Sequence, residues 1–383
     1  MNSRQRLALS LNHKEPDRVP FDLGATYVTG IHKQAYTRWR AALGLPPVEP
    51  VTFEMLQQLA SVDDDMVAAL GVDVRPVTPS GSLTFKLDIG DAPDYTFFHD
   101  EWGIGWRMPK GYGLYYDMFD HPLAGDITKA TIGGCRYPDP ADPSRYQGLR
   151  ERARYIAEVE QRGVVITQMT AGITEIAAWT RGYEDFYADL ALRHDLLGEL
   201  LDKVNAVQMG YWSRVLPEVG EYADVMMVGD DFAGQTRLLM SPDTWRKLVK
   251  PRLRELFDLM HSLSTAKLFL HSCGAIREVL PDLIEIGLDI INPVQVSAAG
   301  MDSAELKAAF GRDLVFWGGG VDTQHVLPHG KPEEVRAEVR RRLDDLMPGG
   351  GFVFNPVHNI QADAPTENLC AMWETLQEYG VYA

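Results

Sequence analysis

Short apolar runs alternate with longer segments of helical periodicity along most of the chain. Strands that alternate with helices form right-handed βαβ units and a parallel sheet, and eight predicted strands fit a closed (β/α)8 barrel. An open doubly wound sheet is the alternative. The predicted strands are Val19 to Gly24, Val72 to Val77, Val164 to Met169, Asp224 to Val228, Lys267 to Ser272, Asp289 to Pro293, Leu314 to Gly318 and Gly351 to Asn355. From the third strand onward helical patterns follow, such as those over Pro242 to Leu263, Ala275 to Ile286, Ser303 to Phe310, Pro332 to Leu346 and Thr366 to Tyr379.

The alternation stops between the second and third predicted strands. Residues 82–120 set many aromatic side chains among glycines and charged residues, a composition typical of β hairpins. We expect this segment to be an insertion that covers one face of the barrel. Its aromatic side chains could line a substrate pocket or simply belong to half-buried hairpins, and both interpretations stay open. Because no linker rich in Pro, Gly or Ser divides the chain, we expect a single domain over residues 1–383.

The formal net charge of the chain limits the classes of molecule that we expect it to bind. The chain has 37 Lys and Arg against 54 Asp and Glu, a formal net charge of -17. Such an excess of acid disfavours nucleic acids and anionic membranes as partners. The sequence has no apolar run typical of a membrane span or a signal peptide, so we expect a cytoplasmic protein. Its cysteines, Cys135, Cys273 and Cys370, are too few and too widely spaced for a disulfide framework.

The tripeptide His271-Ser272-Cys273 follows directly on an apolar run and precedes Gly274, where a strand gives way to a loop. In an extended chain alternate side chains point the same way, so His271 and Cys273 can face a common centre. Imidazole and thiolate together are ligands that suit zinc. The alternative is a buried cysteine beside a histidine that caps or packs.

A metal site needs a third ligand, and His358 is the best candidate. It follows the predicted strand Gly351 to Asn355 much as His271 closes the strand Lys267 to Ser272. A His/Cys/His set leaves a fourth position for water or substrate, which is typical of catalytic rather than structural zinc.

Further polar residues recur after successive predicted strands, where the active site of a barrel lies. For Asp230 and Asp231, capping of the segment that follows them is an equally open interpretation. The acidic candidates for catalysis are Asp22, Glu175, Asp230 and Asp231. The candidates for substrate binding are Asn292, Gln295, Asp322, Gln324 and Asn359.

Motifs in the last third of the chain resemble the uroporphyrinogen decarboxylase superfamily, most closely its methyltransferase-like branch. They are Asp-Ile-Ile-Asn-Pro-Val-Gln at 289–295, Trp-Gly-Gly-Gly-Val-Asp-Thr-Gln at 317–324 and Asn-Pro-Val-His-Asn-Ile at 355–360. The likeness extends upstream through Gly229-Asp230-Asp231 and, more faintly, to Arg18-Val19-Pro20-Phe21-Asp22. The resemblance implies a (β/α)8 barrel, in agreement with the strand pattern.

The resemblance also bears on the ligand set. Zinc-dependent methyltransferases of this superfamily act with corrinoid proteins and carry a His-x-Cys motif followed later by a cysteine. His271 and Cys273 match the motif, and His358 falls where the later cysteine would be. The decarboxylases have a histidine in the corresponding late loop, but they also hold porphyrinogen carboxylates with an arginine-rich motif after the first strand. Residues 24–30 contain no arginine, so a porphyrinogen substrate is not expected.

The resemblance therefore implies a zinc-dependent methyltransferase that moves a methyl group between a small substrate and a corrinoid, thiol or pterin acceptor. The corrinoid would arrive on a separate protein or as free cofactor, because the binding signature Asp-x-His-x-x-Gly is missing. Large barrels of this superfamily often dimerise, so a homodimer is one implied assembly. The alternative is a metal-independent decarboxylase or lyase that acts on a smaller acid through Asp22 and His358. A non-catalytic corrinoid- or ligand-binding protein is the third hypothesis.

Overall fold

A computed structural model describes residues 1–382 of the chain. The helices are α1 (Ser3–Leu11), α2 (Lys33–Ala42), α3 (Asp64–Leu70), α4 (Lys129–Gly134), α5 (Leu149–Arg154), α6 (Ile173–Arg181), α7 (Tyr183–Leu192), α8 (His194–Val219), α9 (Pro242–Leu248), α10 (Lys250–Leu263), α11 (Leu280–Glu285), α12 (Ser303–Phe310), α13 (Val326–His329), α14 (Pro332–Leu346) and α15 (Thr366–Tyr379). The strands are β1 (Thr52–Glu54), β2 (Leu59–Ala60), β3 (Val74–Val77), β4 (Gly90–Asp91), β5 (Tyr95–His99), β6 (Gly105–Pro109), β7 (Asp117–Asp120), β8 (Gly163–Thr167), β9 (Val225–Gly229), β10 (Lys267–His271), β11 (Ile290–Asn292), β12 (Val315–Trp317) and β13 (Phe352–Val353).

A curled parallel sheet forms the centre of the molecule. Within the described residues its seven strands run in the order β13-β12-β11-β10-β9-β8-β3, and every neighbouring pair is parallel. Helices surround the sheet, so the predicted TIM-barrel fold is confirmed. Two of the predicted helices are divided: the pattern over Pro242 to Leu263 forms α9 and α10, and the pattern over Ala275 to Ile286 forms a 3-10 turn and α11.

The sheet buries apolar side chains on both of its faces, which explains why its strands read as continuous apolar runs. Alternate side chains of β10 lie on opposite faces of the sheet. Phe269 packs in the barrel interior, while Leu268 and Leu270 belong to the layer between the sheet and the helices. Leu7 and Leu11 of α1 also pack into the interior cluster. They reach it from the end at which the strands begin, because a Cβ at Gly163 would lie 2.2 Å from Leu7 Cδ2.

The first predicted strand, Val19 to Gly24, is much shorter than expected. Phe21 forms a single parallel bridge to Phe354, in which the amide of Asp22 donates to the Phe354 carbonyl at 2.9 Å and the amide of Phe354 donates to the Pro20 carbonyl at 2.8 Å. On the other side the Phe21 carbonyl accepts from the Asp73 amide at 2.8 Å. The strand cannot extend, because the Phe21 amide donates to the carboxylate of Asp73 and Gly24 turns the chain at φ +83. This short segment joins the two edges of the sheet and closes the barrel.

The segment predicted to form hairpins contains a four-stranded antiparallel sheet in the order β4-β5-β6-β7. The hairpin prediction is therefore confirmed. Trp106 of β6 and the neighbouring Trp102 are both buried. The indole of Trp102 donates to the Thr170 hydroxyl at 3.0 Å, which ties the insertion to the loop that follows β8. The insertion thus covers the end of the barrel at which the strands finish.

No helix within residues 1–382 is both long enough and apolar enough to pass through a membrane.

Asp73 holds the closing segment in place. Its carboxylate is fully buried and lies 2.7 Å from a guanidinium nitrogen of Arg6 on α1 and 2.7 Å from one of Arg18. The same carboxylate accepts from the Phe21 amide at 2.8 Å. Removal of one partner from a buried ionic network leaves the remaining charges without compensation, which is far more costly than the loss of a surface pair.

We expect Asp73→Ala to lower the free energy of unfolding by about 3 kcal/mol, because Arg6 and Arg18 each lose one ion-pair partner and the Phe21 amide loses its acceptor, although Arg6 keeps its pair with Asp17. Urea denaturation followed by circular dichroism measures the change. Asp64→Ala is the control, since that side chain is 90% exposed and also pairs with an arginine, Arg75. The control should cost less than about 1 kcal/mol. Equal losses in the two variants would contradict a closing role for Asp73.

Candidate metal centre

The register of three neighbouring strands gathers polar side chains at one end of the barrel. His271, the last residue of β10, pairs with Gly229 at the end of β9 and with Asn292 at the end of β11. Because parallel strands finish at the same edge, the residues that follow β9 and β10 lie side by side. These residues include Asp231 and Cys273.

The structure brings together the three predicted metal ligands. One potential ligand atom from each of His271, Cys273 and His358 lies within 4.8 Å of the other two. The Sγ of Cys273 is 3.4 Å from the Nε2 of His271, close to the separation of about 3.5 Å that tetrahedral zinc imposes on a nitrogen and a sulfur ligand. The imidazole rings of His271 and His358 have centroids 5.4 Å apart. The spacing of these donors fits a metal ion.

The tautomer of His271 also fits a metal ligand. The side-chain amide of Asn292 donates to the Trp317 carbonyl at 2.8 Å, which turns its Oδ1 toward His271. That oxygen lies 2.5 Å from His271 Nδ1, so Nδ1 carries the proton. The other ring nitrogen, Nε2, is then unprotonated and faces Cys273, the arrangement that metal-binding histidines usually adopt.

Burial sets the charge state of the cluster. It lowers the pKa of His271 to about 4, and burial together with the nearby His271 lowers the pKa of His358 to about 4. Both imidazoles are therefore neutral at pH 7, as metal binding requires. Burial, followed by the charges of Asp231 and Glu175, raises the pKa of the Cys273 thiol well above its usual value. A thiolate at this position needs a cation beside it.

The acidic residues around the cluster have different surroundings. Asp231 accepts a hydrogen bond from the Cys273 amide at 2.7 Å and lies 3.9 Å from His271 Nε2. Asp230 is turned away: its carboxylate accepts from the amides of Thr174 and Glu175, each at 2.9 Å. It thus caps α6, a helix that precedes Asp230 in the chain, and not the segment that follows the pair. Asp230 therefore holds the start of the helix that carries Glu175.

A cavity of about 530 Å³ opens beside the cluster. It reaches Glu175, Asp231, His271 and His358 among the predicted site residues. Burial, and then the charges of Asp231 and Asp230, raises the pKa of Glu175 well above its usual value. Aromatic side chains from the barrel loops and from the insertion form much of the remaining wall: Tyr27, Phe53, Trp106, Tyr115, Tyr116 and Trp179. The expected contribution of the insertion to a pocket wall is thus present.

A second cavity, of about 340 Å³, lies on the other side of the cluster. Cys273 and His358 both line it, and His358 lines the first cavity as well. Three of the predicted substrate-binding residues, Gln295, Gln324 and Asn359, lie here. The cluster is therefore accessible from two sides.

These polar residues also form hydrogen bonds that hold the surrounding backbone in place. Asn359 accepts from the Gly30 amide at 2.6 Å and donates to the Tyr27 carbonyl at 2.8 Å, which tethers the loop that carries His358. Gln295 accepts from the Gly274 amide at 2.6 Å. Asp322 accepts from the Gln324 amide at 2.9 Å and lines neither of these cavities. Of the predicted substrate-binding residues, Asn292 and Asp322 thus lie behind the cavity walls.

Asp22 also lies outside both cavities. Its carboxylate is fully buried, accepts from the Trp317 indole at 2.9 Å and accepts from the Ala25 amide at 3.0 Å. Burial raises its pKa to about 6 despite these hydrogen bonds. This placement gives no support to the predicted catalytic role and assigns Asp22 to the closing segment of the barrel.

Several cavity residues were missed by reasoning from sequence. Trp179 lies one helical turn after Glu175 on α6, so their spacing of four residues indicated a shared face. Tyr27 and Phe53 stack with centroids 5.6 Å apart, but Tyr27 lies in a turn and Phe53 in the three-residue strand β1, which is too short to show a periodicity. No sequence pattern could have placed those two residues in the cavity.

Comparison with known proteins places this site within a family of enzymes. Residues 111–379 match the family model described as uroporphyrinogen decarboxylase (URO-D). The chain therefore belongs to the uroporphyrinogen decarboxylase family. A methyltransferase from Methanosarcina mazei has the same fold, with a TM-score of 0.63 and 19% sequence identity over 99% of each chain.

Two curated relatives represent the two branches of this family. The methylcobamide:CoM methyltransferase MtaA of Methanosarcina barkeri is 29% identical over 243 residues, which cover 63% of this chain and 67% of that protein. The uroporphyrinogen decarboxylase of Alkalilimnicola ehrlichii is 26% identical over 294 residues, which cover 73% of each chain. Identity alone does not separate the branches, so the choice between them depends on the site.

The pKa of Asp22 predicts a specific dependence of stability on pH. A folded-state pKa of about 6 lies above the unfolded value near 3.8, so the folded protein binds this proton more tightly. The associated stability is present below about pH 4 and is lost as the pH rises through about 6. Asp22→Asn removes the titration, so its stability relative to the parent should rise by on the order of 3 kcal/mol between these limits.

Urea denaturation of the two proteins at intervals from pH 4 to pH 7 measures this difference. Asp94→Asn, at an exposed aspartate of the insertion, is the control and should follow the parent at every pH. Parallel curves for Asp22→Asn and the parent would show that Asp22 titrates normally.

Proposed function

We propose that the protein is a zinc-dependent methyltransferase that moves a methyl group between a small substrate and a corrinoid, thiol or pterin acceptor. The observation that carries this proposal is the His/Cys/His cluster, which lies between two cavities. The relation to a methylcobamide:CoM methyltransferase supports it. A cluster that two ligands can approach from different sides suits the transfer of a group between them.

His271, Cys273 and His358 would hold the zinc ion. Bound zinc supplies Lewis-acid chemistry, lowering the pKa of a thiol or hydroxyl that binds at the open position. The chain's own residues prepare the site: Asn292 keeps Nε2 of His271 free of a proton, and Asp231 fixes the backbone of Cys273. Asp230 is engaged at α6, whereas Glu175 and Asp231 both line the first cavity.

The acceptor would bind in the second cavity. Its walls include the side-chain amides of Gln235, Gln295, Gln324, Asn359 and Gln361 and no Lys or Arg among the described residues that line it. Neutral polar walls suit a neutral polar ligand that makes hydrogen bonds. The corrinoid, thiol or pterin acceptor would approach the cluster from this side.

A decarboxylase that acts on a small acid is the second candidate, because relatives of this kind occur in the same family. In that function His358 would contact the substrate and no metal would be needed. Two observations favour the methyltransferase. No Lys or Arg belongs to the described residues that line the first cavity, so a carboxylate there would lack a basic partner. Asp22, the other residue required, lies outside both cavities.

Zinc content tests the proposed ligand set directly. Purified parent protein should contain roughly one zinc per chain by elemental analysis, since three ligands and one open position form one catalytic site. Cys273→Ser and His358→Ala should lose most of it, whereas His358→Cys should keep it because thiolate is also a zinc ligand. Methyl transfer to free reduced corrinoid, followed by absorbance, should disappear together with the metal.

Cys135→Ser and Cys370→Ser are matched controls, since both cysteines lie outside the cluster. They should keep zinc and activity, and circular dichroism should show that every variant is folded. Full zinc in folded His358→Ala would remove His358 from the ligand set. Decarboxylation of an acid by metal-free protein, without any methyl transfer, would favour the second candidate function.

The contact from Asn292 predicts a second change in metal binding. Asn292→Ala removes the acceptor that orients His271, so zinc affinity should fall by about 10-fold to 100-fold, the usual effect of losing such a partner. Competition with a chromophoric chelator measures the affinity. Asn292→Asp keeps an acceptor for Nδ1 and should remain closer to the parent. Parent-like affinity in Asn292→Ala would mean that the ring is oriented by packing alone.

A further inference from the structure

The wall of the first cavity has an unusual balance of charge. Four carboxylates reach it, from Glu54, Asp100, Glu175 and Asp231, while none of the described lining residues is Lys or Arg. The only other titratable nitrogens in the wall belong to His271 and His358. An anionic ligand would find no basic side chain in this cavity, whereas a cation would find both acids and aromatic rings.

Three of these carboxylates already have backbone or indole donors. Glu54 accepts from the amides of Leu56 and Gln57, each at 2.7 Å. Asp100 accepts from the Trp102 amide and from the Trp106 indole, at 2.9 and 2.8 Å. These contacts hold the two acids within the cavity wall, and Asp231 is held by the Cys273 amide.

Glu175 has no cationic partner. Its carboxylate accepts a long hydrogen bond, 3.4 Å, from the Gly172 amide at the start of α6, and the Asp231 amide is a second backbone donor. No Lys, Arg or His within residues 1–382 forms a salt bridge with it. It nevertheless lies in a largely buried position at the cavity wall. Burial opposes ionisation of such a carboxyl group, and a bound cation would favour its charged form.

Two indoles stand beside this carboxylate. Trp179 follows Glu175 by four residues on α6, so both project from the same face of the helix. Trp106 meets Trp179 edge to face, with centroids 5.4 Å apart and planes at 88°. The hydrogen bond from Trp106 to Asp100 fixes one of the two rings. Two perpendicular rings and a carboxylate without a cationic partner form a corner suited to a methylated cation, which binds to ring faces as well as to negative charge.

We propose that the first cavity binds the methyl donor as a methylated ammonium group, a tertiary or quaternary amine, through Glu175, Trp106 and Trp179. This inference rests on the proposed methyltransferase function and names its substrate class. A bound divalent metal would be largely balanced by the thiolate of Cys273 and the carboxylate of Asp231, which leaves the preference for a cation to Glu175 and the two indoles.

The chemistry of such a donor is balanced without a further reactant. The bond from nitrogen to the methyl carbon breaks with its electron pair on nitrogen, so a quaternary ammonium leaves as a neutral amine. The nucleophilic acceptor, for example a thiolate that bound zinc would activate, supplies the electron pair of the new bond to carbon. Loss of the positive charge weakens the contact with Glu175, which favours departure of the product.

Binding of three probes of similar shape tests the inference without relying on turnover. The probes are choline, its uncharged isostere dimethylbutanol and the anion dimethylbutanoate, each titrated calorimetrically into zinc-loaded protein. Choline should bind about tenfold or more tightly than the neutral isostere, and the anion should bind most weakly. Glu175→Gln and Trp179→Leu should each remove most of the preference for the cation.

Glu184→Gln is the matched control, because this exposed glutamate lies on the neighbouring helix α7, and it should retain the full preference. Equal binding of choline and dimethylbutanol by folded parent protein would overturn the cation site, even if zinc-dependent methyl transfer from a neutral methyl ether were found. Selective choline binding that Glu175→Gln abolishes would support the site, even if methyl transfer failed and with it the proposed function.

Discussion

Parallel register at the ends of β9, β10 and β11 is the constraint on which the candidate site depends. It sets His271 beside Gly229 and Asn292, and so fixes which polar residues can meet. The register is in turn strongly specified, because the interior-facing residues of these strands, such as Met227 and Phe269, are fully or almost fully buried. A slip of β10 by one residue would exchange the two faces of the strand and remove the imidazole of His271 from Asn292. Apolar packing in the barrel therefore determines the geometry of a polar site at its end.

Barrel closure adds the remaining ligand. His358 lies far from His271 in sequence, and its loop follows a strand, β13, that pairs on one side with β12 and meets Phe21 on the other. The same closing segment continues to Gly30, whose amide donates to Asn359 in the loop of His358. Closure and ligand placement are thus one structural feature, since the residues that complete the barrel also anchor the last ligand.

Much of the fold followed from the sequence, because parallel strands buried on both faces leave apolar runs that are easy to recognise. The short length of the strand around Phe21 could not be predicted. Its pairing partners are a carboxylate and two single bridging residues, and no continuous ladder forms. In the site, the two-residue spacing of His271 and Cys273 was sufficient to predict that their side chains face a common centre, because this depends only on strand geometry. The separation of Asp230 from Asp231 was not predictable, since it depends on where the amides of α6 lie. The positions of aromatic cavity residues such as Tyr27 could not be predicted, because they depend on irregular loops whose sequence has no hydrophobic periodicity.

The electrostatics of the site connect its two halves. Burial keeps both imidazoles neutral and opposes ionisation of Cys273, so a metal ion is the partner that would offset the cost of forming a thiolate there. Burial likewise opposes ionisation of Glu175 while the cavity offers it no basic side chain. The Cys273 thiol faces the proposed metal position and the Glu175 carboxyl group faces the proposed ligand position. Each requires positive charge from outside the chain to ionise. Binding of a metal beside Cys273 and binding of a cation beside Glu175 should therefore favour each other. Neutralising the charge of one group weakens the repulsion that disfavours ionisation of the other.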